Sequence, residues 1–197
     1  MKVKICGLKT KEQVDAAVFH GADYLGFVFA KSKRQLSPEK VKEMTRDVPK
    51  GVKKIGVFVS PSQSTVETII QQADLDMVQI HGELQAASYS VPLIRALSVE
   101  DTVVQPMSAE YVLFDAPPKQ FAGGNGEVFD WEKLDLSQLE EKKIIIAGGL
   151  TAENVQQVKK ILDPYAVDVS SGVETNGEKD LQKISAFLKK AKEELDV

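Results

Sequence analysis

The sequence predicts an α/β protein, because short strand-like runs alternate with amphipathic helical stretches from one end to the other. The runs are Lys2–Cys6, Asp23–Phe29, Lys54–Val59, Asp76–His81, Pro92–Leu97, Tyr111–Asp115, Lys143–Gly148 and Ala166–Ser171. Between them, apolar residues recur at the helical period rather than the strand period. Parallel strands need crossover connections, so eight such units imply a parallel sheet closed into a (β/α)8 barrel, the TIM-barrel architecture. About 25 residues per unit puts the barrel near the short end of its ordinary size range. An open doubly wound sheet would carry a glycine-rich dinucleotide fingerprint after the first strand, and ICGLKT has none.

Each helix has its own stripe. Val14, Ala17 and Val18 form one; Val66, Ile69, Ile70 and Ala73 another; Val155, Val158, Ile161 and Leu162 a third; Leu181, Ile184, Phe187 and Leu188 a fourth. Ser37-Pro38 and Ser60-Pro61 place a capping hydroxyl before a proline at the first helical position. Thr151 followed by Ala152-Glu153 supplies a cap and an acid where helix N–H groups need them. The weakest stretches are Gly82–Ser90 and Ser98–Glu110, where short or irregular helices are expected. No linker, composition shift or low-complexity segment divides residues 1–197, so one compact domain is expected.

Composition narrows the partners. The chain has 43% apolar and 27% charged residues, ordinary for a globular protein, and its net charge of −4 argues against a polyanion-binding surface. No nucleic-acid partner is therefore expected. MKVKICGLKT turns polar after six residues, unlike an export signal, and no apolar run approaches the ~20 residues that span a bilayer. One cysteine allows no internal disulfide and no multi-cysteine metal site. The expectation is a cytoplasmic protein without membrane attachment, metal or organic cofactor.

Polar residues inside strands carry the functional signal. Alternation puts Lys4 and Cys6 on one face of the first strand, and Gln79 and His81 opposite Val78 and Ile80 in the fourth. Arg95, Asp115, Asp168 and Ser170 also interrupt apolar runs. Most lie near the carboxyl ends of strands, where barrel enzymes keep their chemistry. Strands one and eight are neighbours once the barrel closes, so Lys4 is expected to pair with Asp168.

Cys6 reads either as a small buried hydrophobe or as a proton acceptor, with Lys4 on its face to favour the thiolate. Asp115, closing the sixth strand, reads either as a loop acid or as an opposing general acid. Gly148 and Gly149, and Ser170, Ser171 and Gly172, follow the last two strands, the usual phosphate site of such barrels, where backbone N–H groups can hold the anion. They could equally be turns that the geometry demands. Arg34, in AKSKRQLSPEK, is either solvated surface or a bidentate clamp for a ligand carboxylate. His81 stands on the same rim as a further substrate-binding candidate.

Taken together, KICGLKT, GADYLGFVFAKSKRQLS, IGVFV, MVQIHGEL, FDA, GGNGEVFDW, IIIAGGLTAENV and DVSSGVETNGEKD resemble the phosphoribosylanthranilate isomerase family in order and spacing, along the whole chain. The resemblance implies an isomerase of tryptophan biosynthesis that performs an Amadori rearrangement on a small phosphorylated substrate. It also implies Cys6 as general base, Asp115 as general acid and Arg34 on the anthranilate carboxylate. Gly149, Ser171 and Gly172 fall in its phosphate-binding segments. The chain departs from the family pattern at Asn125 in GGNG and at Lys33 before Arg34. Competing readings are a phosphosugar barrel enzyme of the indole-glycerol-phosphate synthase or pentose-phosphate epimerase kind, or a non-catalytic phospho-ligand sensor. The first two would want a set of catalytic lysines or a metal-binding His/Asp cluster, and the chain has two histidines. Oligomeric state is left between monomer and homodimer.

Overall fold

A computed structural model describes residues 1–86, 88–98, 109–115, 139 and 141–194. Eight parallel strands close into a barrel in sequence order: β1 (Lys2–Cys6), β2 (Tyr24–Val28), β3 (Lys53–Val59), β4 (Met77–His81), β5 (Leu93–Ser98), β6 (Tyr111–Asp115), β7 (Lys143–Ala147) and β8 (Ala166–Val169), with β8 hydrogen-bonded back to β1. Each expected strand is present with its ends shifted by at most two residues. The described helices are α1 (Lys11–Phe19), α2 (Pro38–Met44), α3 (Gln63–Ala73), α4 (Val155–Leu162) and α5 (Leu181–Lys192). A two-stranded hairpin, β9 (Glu174–Thr175) with β10 (Glu178–Lys179), follows β8.

Strand parity sorts the core into two layers. Val3, Ile5, Leu25, Phe27, Val78, Ile80, Val112 and Ile146 point outward and are buried against residues of the helices such as Val14, Val66, Val158 and Phe187. Ile55, Met77, Ile94, Leu113, Ile145 and Ala166 fill the barrel interior. The barrel is thus a packed core, with Cys6, His81 and Asp115 at the carboxyl ends of their strands.

Two helix starts differ from expectation. Ser60 does not cap α3. It has a positive φ of 44°, and its hydroxyl accepts from Glu83 N–H at 2.9 Å, tying the β3 loop to the β4 loop. Ser62 caps α3 instead, accepting from Thr65 N–H. Thr151 accepts weakly from Glu153 N–H at 3.3 Å, but α4 itself begins only at Val155, after a turn. Ser37 caps α2 as expected, with Pro38 in the first helical position. No helix occupies the described residues between β4 and β5, consistent with the weak periodicity there. The Ser98–Glu110 stretch falls mostly outside the described residues, and the GGNG loop with Asn125 wholly so.

Candidate active site

Lys4 and Asp168 form the floor of the site. Their Cα positions are paired across β1 and β8, and Lys4 Nζ donates to Asp168 Oδ2 at 2.8 Å. Lys4 is fully buried, so desolvation works against its charge; Asp168 and Cys6 outweigh that and raise its pKa. Asp168 Oδ1 and Gln79 Oε1 are buried with no hydrogen-bond partner among the described residues. Such groups weaken a core unless a function uses them.

Cys6 ends β1 directly above this pair and is almost wholly buried. A Cβ added at Gly26 of the adjacent strand would lie 2.9 Å from Cys6 Sγ and 3.1 Å from Lys4 Nζ, so the thiol and the ammonium crowd the same spot. Burial pushes the thiol above its ordinary range, and the attraction of Lys4 only partly offsets it. Lys4 thus favours the thiolate, as the sequence suggested, but burial outweighs it. Asp115 ends β6, on the wall of the mouth away from β1, and is open to solvent. The surrounding wall still limits its hydration; that desolvation, and then the charge of Asp168, raise its carboxyl pKa. Base and acid candidates thus both lean toward their protonated forms.

His81 ends β4, with Nε2 2.8 Å from Gln79 Nε2. Burial first, then Lys4, lower its pKa, which favours the neutral imidazole near neutrality. Arg95, from β5, donates through Nη1 to Ile80 O at 3.0 Å and so braces the wall.

The loops after β7 and β8 touch closely. A Cβ at Gly172 would lie 1.8 Å from Leu150 O, so only glycine lets them meet. Gly148 and Gly149 both have positive φ, at 88° and 62°. Asn154 braces this loop, donating to Gly149 O at 2.9 Å and accepting from Thr151 N–H at 2.8 Å. Ser171–Val173 form one 3-10 turn, whose own bonds use the N–H groups of Val173 and Glu174. The N–H groups of Ser171 and Gly172 stand outside that bonding.

Arg34 reaches over β1 from the β2–α2 loop. A Cβ at Gly7 would lie 2.6 Å from Arg34 Cδ, so glycine there makes room for the stem. Its guanidinium is held bidentately by Glu174, Nε to Oε1 and Nη2 to Oε2, both at 2.8 Å. Lys179 donates to the same Oε1 at 2.7 Å and to Ser170 O at 2.9 Å. Burial would raise Glu174, but hydrogen bonds from Arg34 and Lys179 overcome it and hold the carboxyl down at about 2. Neither Glu174 nor Lys179 was singled out in the sequence, where DVSSGVETNGEKD counted only as a segment of the family resemblance. The one available signal was Asn176-Gly177, a hairpin turn that sets the two side by side.

Cys6, Asp115, Arg34, His81 and the β7 and β8 loops therefore all lie at one end of the barrel. Among the described residues, no group of three or more His, Cys, Asp or Glu is placed to hold a metal ion. The family model for N-(5'-phosphoribosyl)anthranilate isomerase matches residues 3–190. The chain belongs to this family. It is 49% identical to the N-(5'-phosphoribosyl)anthranilate isomerase of Listeria monocytogenes serotype 4b, over 98% of both chains. A crystal structure of a phosphoribosylanthranilate isomerase in complex with reduced 1-(o-carboxyphenylamino)-1-deoxyribulose 5-phosphate superposes with a TM-score of 0.80 at 32% identity, each chain covered to 98%. A structure of monomers generated from the dimeric isomerase of Thermotoga maritima gives 0.81 at 33%, again over 98% of each. The chain is accordingly an isomerase that converts N-(5'-phosphoribosyl)anthranilate to 1-(2-carboxyphenylamino)-1-deoxyribulose 5-phosphate in tryptophan biosynthesis, an intramolecular oxidoreduction.

Proposed function

We propose that Cys6 is the general base and Asp115 the general acid of this isomerisation, acting on a substrate stretched between two anion anchors. Asp115 protonates the furanose ring oxygen; the C1–O bond breaks and a protonated Schiff base forms at C1. The Cys6 thiolate then removes the C2 proton. The C2–H electron pair forms the C1–C2 double bond, and the imine electrons return to nitrogen. The resulting enolamine loses its hydroxyl proton and gains one at C1, leaving a ketone at C2. C2 is oxidised and C1 reduced, so the reaction balances without an external redox partner.

The anchors follow from the substrate's shape. Its phosphate sits against the N–H groups of Gly149, Ser171 and Gly172, with Gly148 and Ser170 shaping the two loops. Its anthranilate carboxylate takes the free edge of Arg34, and neutral His81 lines the wall near the sugar. The observation that carries the reading is the placement of Cys6 and Asp115 on different walls of one mouth, with the Asp115 carboxyl raised. A raised carboxyl holds its proton to higher pH than an ordinary aspartate does, which favours donation to the ring oxygen. The reading also takes the chain as one domain working as a monomer or homodimer, in the cytoplasm, where a reducing compartment keeps the single thiol free.

Replacing Cys6 by Ala or Asp115 by Asn should each lower kcat by at least about two decades. Both variants should still bind the reduced product analogue, read by competition against substrate turnover. Near wild-type turnover in Cys6→Ala would make Cys6 a packing residue and move the base elsewhere on the rim.

A further inference from the structure

Besides the Lys4–Asp168 pair, the proton transfers leave a second pair of buried charges unused, Glu174 and Lys179. They lie between the two anchors. The Lys179 side chain is 1% exposed and that of Glu174 7%. Closing a two-residue hairpin does not require an ammonium to be buried this deeply, since the backbone pairing and the Asn176-Gly177 turn already close it. Lys179 reaches inward instead, to Ser170 O at 2.9 Å, Ser170 Oγ at 3.4 Å and Glu174 Oε1 at 2.7 Å.

Both contacts fix something the ligand needs. A trans peptide is planar, with its C=O and N–H pointing in opposite directions. Holding Ser170 O therefore aims the N–H of Ser171, in the same peptide unit, to the other side. Glu174 uses the Nε–Nη2 edge of Arg34. A guanidinium has five N–H donors in a rigid fork, so the remaining Nη1–Nη2 edge is left as a second two-pronged donor with its plane already set. Lys33 also approaches Glu174 Oε2 at 3.8 Å. Arg34, Lys179 and Lys33 outnumber the Glu174 carboxylate they share, which suits a substrate carrying both a phosphate and a carboxylate.

We propose that Lys179 and Glu174 are positioning residues: Lys179 orients the phosphate-binding peptide, Glu174 orients the Arg34 clamp, and their ion pair ties the two anchors into one frame. This rests on the reading of Arg34 and the Ser171 loop as anchors given above.

The test uses Arg34→Ala, Glu174→Gln, their double variant, and Lys179→Met, with inorganic phosphate and the reduced product analogue as competitive probes. Glu174→Gln should weaken the analogue about tenfold, the size expected when the charge-assisted bond that orients Arg34 is removed. Inorganic phosphate should be unaffected in that variant. The double variant should be no worse than Arg34→Ala alone, because Glu174 acts through Arg34. Lys179→Met should weaken both probes, with kcat changing much less than KM. If Lys179→Met does not fold, Lys179→Gln takes its place, since an amide can still donate to Ser170 O. Its phosphate affinity should still fall below that of the wild type, because the amide carries no charge and is shorter than the lysine. Arg34→Ala leaving the analogue unaffected would overturn the anchor reading itself. Arg34→Ala weakening it while Glu174→Gln does not would overturn the positioning role and leave the anchor standing. Unchanged phosphate binding in the Lys179 variants would reduce Lys179 to a hairpin brace.

Discussion

At the N-terminal end of the barrel, Tyr24 and Tyr165 share a hydrogen bond of 3.0 Å, and Tyr111 meets Tyr165 edge to face. Lys2 and Lys143 lie over these rings, 4.8 to 5.6 Å from the centroids. Lys143 also pairs with Glu110 at the surface. At the C-terminal end, Lys4 is fully buried, Asp168 keeps one oxygen without a partner among the described residues, and Cys6 and Asp115 are pushed toward their protonated forms. The same strands supply both ends. At the first, polar atoms are paired and the lysines keep their heads near water while their stems cover rings. At the second, charges are held where they weaken the fold and perturb each other. The perturbed groups are concentrated at the end where the proposed chemistry is placed.

Breaking each end should show the contrast. Lys4→Met strands the Asp168 carboxylate, and removing one partner of a buried pair typically costs about 3–5 kcal/mol. Adding Asp168→Leu should recover much of that loss in urea unfolding, whereas an additive or larger loss would mean the pair itself stabilises the barrel. Acid is the next lever. The Glu174 carboxyl is at about 2 in the folded chain against an ordinary 4.5, so its stabilisation is complete above pH 4.5 and is lost as pH falls through about 2. Glu174→Gln should flatten that part of the stability–pH curve, and an unchanged curve would show that Glu174 is not held by its cations in solution. Smallest is Tyr165→Phe at the quiet end, expected to cost about 1 kcal/mol with kcat and KM unmoved. A change in turnover there would blur the distinction between the two ends.

Much of the active end was legible in the sequence because charges are rare inside barrel strands. Parity alone put Lys4 and Asp168 on one inner face, and ring closure made them neighbours. What was not legible depends on loops. Arg34 read either as solvated surface or as a clamp awaiting a ligand, yet two of its five donors are already taken by Glu174, a residue 140 positions away that a short hairpin brings round. Ser60-Pro61 matched a helix cap by type, but Ser60 serves a cross-loop contact because α3 starts later. The balance at Cys6 also escaped the sequence: burial and Lys4 could each be foreseen there, but not that desolvation outweighs Lys4.

That last point yields the sharpest test, the pH dependence of kcat/KM in the wild type and in Asp115→Asn. The proposed reaction needs ionised Cys6 together with protonated Asp115, although each carries its proton more readily than usual. With the base's pKa above the acid's, the active fraction is small but constant between them. It falls below the Asp115 value, because thiolate is lost, and above the Cys6 value, because protonated Asp115 is lost. The wild type should therefore show a broad plateau whose acid limb lies above 3.8 and whose alkaline limb lies above 9.0, the ordinary values of the two groups. In Asp115→Asn the residual activity should instead climb with pH until Cys6 is fully ionised. An alkaline limb near neutrality in the wild type, or a plateau that survives unchanged in Asp115→Asn, would contradict the assignment of Cys6 and Asp115 as base and acid.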